Sequence, residues 1–105
     1  NKHLAVKIAL TNNTPIKSVG AGTIIFSDWT PSSGYVVIVR HKDDILSVYK
    51  NAASVTKSQG NIVKSGEVIA LAGNANNVQN SGATLHFELW KDGFPIDPTQ
   101  FINFN

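Results

Sequence analysis

Apolar residues recur at every second position through a series of short runs, and this alternation constrains the fold more than any other feature of the chain. Leu4, Val6, Ile8 and Leu10 alternate with His3, Ala5, Lys7 and Ala9, which as a strand puts His3 and Lys7 on one polar face. The runs IKSVGAGTIIFSDW, GYVVIVRH, DILSVYK, EVIALAG and TLHFELW follow, rich in β-branched and aromatic residues and separated by Gly, Pro, Asn, Asp and Ser. Such punctuation predicts an all-β fold, a compact antiparallel β-sandwich. NAASVTKSQG could hold a helical turn or two, and Asp97-Pro98 reads as an N-cap and first-turn proline opening a short C-terminal helix. Lys91-Asp92-Gly93-Phe94 reads as a tight turn, and Gly73 to Gly82 as a polar loop.

A chain of 105 residues supports one domain, 1–105, with a single core. With 42% hydrophobic and 15% charged residues it belongs with globular rather than disordered sequences. The net charge of +2 is small and scattered, with no Lys/Arg run interleaved with aromatics, so nucleic acid is not an expected partner. The absence of Cys excludes disulfides and thiolate metal sites. No apolar run approaches the roughly 20 residues of a membrane-spanning helix. Asn1 does not open a signal peptide, and the sequence is expected to be an excerpt of a longer chain.

The stretch SGATLHFELW concentrates the candidate chemistry. On a strand, Thr84, His86 and Glu88 share one face while Leu85, Phe87 and Leu89 share the other. A zinc hydrolase would use two imidazoles at such i, i+2 positions, one to hold metal and one to handle protons. Here the first of the pair is Thr84. Read alone, His86 is an ordinary hydrogen-bonded histidine of a groove. His41, which ends GYVVIVRH, reads as a solvated strand end and as the sole replacement ligand available. Trp29, Trp90, Phe94 and Tyr35 read as core or rim packing.

A weak internal echo links Ile16–Ile25, IKSVGAGTII, with Ile62–Ala70, IVKSGEVIA. Apolar-Lys, a glycine turn and a strand recur in both. Biotinyl and lipoyl carrier domains are built from similar hairpins, but they present the modified lysine at an exposed tip beside Met or an acidic residue. No lysine of this chain has that context, and it has no Met.

Taken in order, His3-Leu4-Ala5-Val6-Lys7, Ser47-Val48-Tyr49-Lys50-Asn51, Gly60 to Ile69 and Gly82-Ala83-Thr84-Leu85-His86-Phe87-Glu88 resemble the LytM or lysostaphin-like zinc endopeptidase family. That family cuts the peptide part of bacterial peptidoglycan. Its pattern is His-x-x-x-Asp, Tyr-x-His, a G-x-x-V-x-x-G-x-x-I segment and a terminal His-x-His-Phe-Glu. The resemblance covers nearly the whole chain and implies the family's antiparallel β fold. It places His3 and His86 at the two zinc-ligating histidines and Lys7 at the ligating aspartate. Asn51 and Thr84 then stand where the family has its two catalytic histidines that do not bind metal.

Each replacement is chemically severe. An ammonium offers zinc no lone pair, and a unit charge ~4 Å from a divalent cation is repelled by about 8 kcal/mol at an effective dielectric of ~20. Asn51 and Thr84 cannot exchange protons near neutral pH. The resemblance therefore implies a degenerate member: no metal cofactor, His3 and His86 as relic ligands, and the Lys7 ammonium in the space of zinc. The expected function is binding in the bacterial cell envelope, periplasmic or extracellular, as a regulator or activator of peptidoglycan hydrolysis or a peptidoglycan-binding module, with peptidoglycan, a cell-wall amidase or another envelope protein as partner. The groove should lie between Lys7, His3, Thr84 and His86 and the loops around Asn51 and Gly73 to Gly82, where Asn74, Asn76, Asn77 and Asn80 add amide donors and acceptors. The alternatives are an active zinc-dependent endopeptidase, its metal rescued by a further group such as His41, and a structural module of an envelope assembly.

Overall fold

The computed structural model describes residues 5–11, 13–73 and 83–98. Its strands are β1 (Val6–Leu10), β2 (Pro15–Lys17), β3 (Gly22–Thr30), β4 (Gly34–Arg40), β5 (Ile45–Ala52), β6 (Ser54–Val55), β7 (Ile62–Val63), β8 (Val68–Leu71), β9 (Ala83–Lys91) and β10 (Phe94–Ile96). Every pairing is antiparallel. A seven-stranded sheet runs β1-β9-β5-β4-β3-β7, with β10 also on β9, and a three-stranded sheet runs β2-β8-β6.

Alternation decides which side chains lie between the sheets. On β9, Ala83, Leu85, Phe87 and Leu89 are buried while Thr84, His86 and Glu88 are partly exposed. Val37 and Val39 of β4 and Tyr49 of β5 point to the same side, where they meet Ile16 of β2 and Ile69 and Ala70 of β8 in one cluster. Burying a side chain such as Phe87 or Ile69 contributes about 1.5–3 kcal/mol, and the tilted Tyr49–Phe87 ring pair, 5.3 Å between centroids, adds to it. The sequence echo resolves into an interlock. Lys17 pairs with Val68, the Ser18 N–H donates to the Glu67 carbonyl at 2.9 Å, and the Gly66 N–H donates back to Ser18 at 2.8 Å.

The Asp-Gly turn forms as expected. Asp92 and Gly93 take φ of 52° and 84°, closing the β9–β10 hairpin between paired Lys91 and Phe94. The expected helical turns in NAASVTKSQG do not form. Asn51 and Ala52 finish β5 and Ser54–Val55 make β6, because the Ala53 and Thr56 N–H groups donate to Leu71 and Ile69 of a distant strand. Helical geometry among the described residues is a 3-10 turn at Lys42–Asp44 and a 3-10 position at Pro98. Of the short helix expected to open at Asp97-Pro98, Pro98 takes 3-10 geometry, and the continuation lies outside the described residues.

Candidate functional site

Three strands bring the sequence-predicted residues together on the face of the large sheet turned away from the core. His86 of β9 lies directly opposite Lys7 of β1 on one side and Lys50 of β5 on the other. Directly opposed residues share a face, with Cβ atoms about 4.5–5.5 Å apart, so an imidazole stands between two lysines. Lys7 is exposed, and among the described residues its ammonium has no hydrogen bond or ion pair.

Lys50 is bound within this row. Its Nζ lies 3.0 Å from Glu88 Oε2, and Trp90 Nε1–H donates to Glu88 Oε1 at 3.0 Å. Burial pushes the Glu88 carboxyl up, but the Trp90 and Lys50 hydrogen bonds and the charges of Lys50 and His86 outweigh it and hold the carboxyl below its ordinary value. Lys50 had no assigned role in the motif, being the middle residue of Tyr49-Lys50-Asn51. The signal was present: if Tyr49 faces the core, Lys50 must face away from it. Trp90 was read only as packing, although it continues the i, i+2 row of Thr84, His86 and Glu88.

Asn51 reaches the same region through a bulge. Tyr35 pairs with Ala52 and Val37 with Tyr49, so Lys50 and Asn51 together oppose Val36 alone. Asn51 adopts a left-handed φ of 73°, which Asn tolerates better than most residues. Its N–H donates to the Ser33 carbonyl at 2.8 Å, and its side-chain Nδ2 donates to the Thr84 carbonyl at 2.6 Å. Thr84 itself lies opposite Ala9. His3 and the asparagines Asn74, Asn76, Asn77 and Asn80 lie outside the described residues.

His41 is not a solvated strand end, and it belongs to the other side of the sheet. Its ring nitrogens lie 2.8 Å from the Ala21 carbonyl and 2.7 Å from Ser47 Oγ. A carbonyl only accepts, so Nδ1 carries the proton, and in the neutral ring Nε2 accepts from Ser47. Ser47 is fully buried opposite Val39 and Leu89, on the core face. With both nitrogens engaged there, His41 cannot complete a ligand set around His86.

The side chains described around His86 do not fit zinc. The position of the implied aspartate presents an ammonium, a second ammonium flanks the imidazole, and Glu88 is held by Lys50 and Trp90. Among the described residues no three His, Asp or Glu side chains converge.

Comparison with known proteins agrees with this geometry at the level of family. Residues 1–98 match the model of Peptidase family M23. Murein hydrolase activator EnvC of Escherichia coli is 30% identical over 95 residues, covering 90% of this chain and 22% of that protein. A crystal structure of a SpoIIIAH and SpoIIQ complex is similar at 33% identity and TM-score 0.75, covering 86% of this chain and 63% of that one. The catalytic domain of lysostaphin from Staphylococcus simulans shares the fold at 22% identity and TM-score 0.80, over 94% of this chain and 77% of that one. This chain spans 23% and 29% of the length of two further curated relatives that it matches. An all-β, lysostaphin-like fold carrying a family model over nearly its full length has one reading: the chain belongs to peptidase family M23.

Proposed function

We propose that this domain works by binding in the bacterial cell envelope and does not hydrolyse peptidoglycan, its polar sheet face receiving a segment of an envelope protein or a peptidoglycan strand. The observation that carries this reading is the row Lys7–His86–Lys50, in which positive charge surrounds the imidazole that a catalytic zinc would need. Two further features support it. Asn51 and Thr84 hold no titratable proton near neutral pH, and Asn51 spends its side-chain N–H on a backbone carbonyl. Relatives named as a murein hydrolase activator and as one member of a two-protein complex are in keeping with a binding role.

The test pairs metal analysis with a hydrolysis assay. After dialysis against micromolar zinc the chain should retain far less than one equivalent and should release no fragments from purified peptidoglycan. About one equivalent of zinc together with cleavage would restore the endopeptidase reading. No zinc, no cleavage and no retention on peptidoglycan or envelope proteins would favour an idle structural module.

A further inference from the structure

The outward face of the large sheet is divided in a way that the family motif does not require. Next to the cationic row lies an apolar strip. Register carries it across the sheet: Phe26 of β3 pairs with Ile38 of β4, Ile38 with Val48 of β5, and Val48 with Glu88 of β9. Leu46 and Trp90 pair alongside. Phe26, Ile38, Leu46 and Trp90 are partly exposed, and none belongs to the core between the sheets. Polar groups suited to a sugar, such as a run of amides or hydroxyls, are not what this strip presents.

Resting on the binding role argued above, we infer that this face docks a protein segment combining carboxylates with apolar side chains, its carboxylates on Lys7 and its apolar side chains on Phe26, Ile38, Leu46 and Trp90, with buried Val48 as the floor of the strip. Charge complementarity selects the acidic partner. Lys7 is exposed and has no partner among the described residues, Lys50 stands across His86 from it and is paired with Glu88, and Arg40, exposed opposite Leu46, adds a further positive charge beside the strip. The geometry suits one segment. Lys7 stands on β1 and Ile38 on β4, three strand spacings or about 14 Å apart across the sheet, with a further offset of two residues along the strand. The combined distance, about 16 Å, is close to three turns of helix, so a carboxylate and an apolar residue about eleven positions apart can engage both ends together.

The experiment uses the 105-residue chain and three synthetic peptides of equal length: an amphipathic one with Leu and Glu, the same pattern with Lys for Glu, and an acidic one with Ser for Leu. Tryptophan fluorescence follows the titration, and amide chemical shifts locate it. The Leu/Glu peptide should bind at low salt with shifts on β1, β5 and β9, weaken several-fold in Lys7→Ala, and weaken again in Ile38→Ser. The other two peptides should bind at least tenfold more weakly. Equal binding of the Leu/Lys and Leu/Glu peptides, shifts confined to the opposite face, or tighter binding by a soluble peptidoglycan stem peptide than by the Leu/Glu peptide would each overturn the inference. These outcomes are read without zinc or hydrolysis, so failure here is distinguishable from failure of the binding role itself.

Discussion

Asn51 and Thr84, which the sequence resemblance sets at the family's two catalytic histidines that do not bind metal, are tied to each other by a 2.6 Å hydrogen bond from the Asn51 side chain to the Thr84 carbonyl. The bond joins the bulge of β5 to β9 and depends on Asn51 holding its left-handed backbone. Asn51→Ala should therefore lose the hydrogen bond and strain the backbone, costing about 1–2 kcal/mol, whereas Asn51→Gly should cost less because glycine accepts the conformation. Urea midpoints of the two variants decide it. Equal losses would mean that the backbone conformation contributes nothing.

Lys7→Asp should bind zinc measurably more tightly than the parent chain, since it supplies a ligand and removes a neighbouring charge opposite His86. Cleavage should still be absent until Asn51→His and Thr84→His are added. Calorimetric titration with zinc checks the first step. An intact Lys7→Asp fold with no gain in affinity would show that the positional match to the family is wrong.

Acid should weaken the fold partly through Glu88. Its carboxyl titrates below its ordinary value of 4.5 in the folded chain, so the folded state holds that proton less readily than the unfolded state does. The resulting stabilisation is complete above pH 4.5 and is lost as pH falls through the lowered value. Glu88→Gln cannot titrate, so the gap in urea midpoint between parent and variant should narrow as pH drops below 4.5. Parallel curves would refute the assignment. Glu67, held low by the Lys64 N–H and Lys57, shapes the same limb and leaves the variant some residual slope.

Tyr49 accepts the Val19 N–H at 3.0 Å from within the core. Tyr49→Phe keeps the ring against Phe87 but orphans that donor, and it should lower stability by about 1–2 kcal/mol without altering the outward face. A thermal melt together with unchanged amide shifts at Thr84, His86 and Glu88 would show both halves of the expectation. Shifts that move at those residues would show that the two faces are coupled.

Strand placement was legible wherever one face is buried. The alternation around His86 and around Lys7 predicted which side chains would share a face, because a half-buried strand cannot hide its period. Three things were not legible, each for a tertiary reason. NAASVTKSQG has no strand signature of its own and takes extended form by pairing with Leu71 and Ile69. The pairing of Lys50 with Glu88 depends on which strand lies beside β9, which local sequence does not encode. His41 looked exposed because it ends a run, yet both nitrogens are committed to Ala21 and Ser47, about twenty residues back in one case.

The threefold pairing of β9, with β1 and β10 along one edge and β5 along the other, has a consequence for how this domain can change. Substituting an outward side chain alters what the surface recognises and leaves the packing between the sheets untouched, so new specificities are accessible one residue at a time. A slip of β9 by a single residue is the opposite case: it would turn Leu85 and Phe87 outward and His86 inward together, breaking three pairings in the same step. The strand is thus permissive to substitution and intolerant of insertion, and a one-residue insertion between Ala83 and Lys91 should abolish folding and recognition in the same experiment.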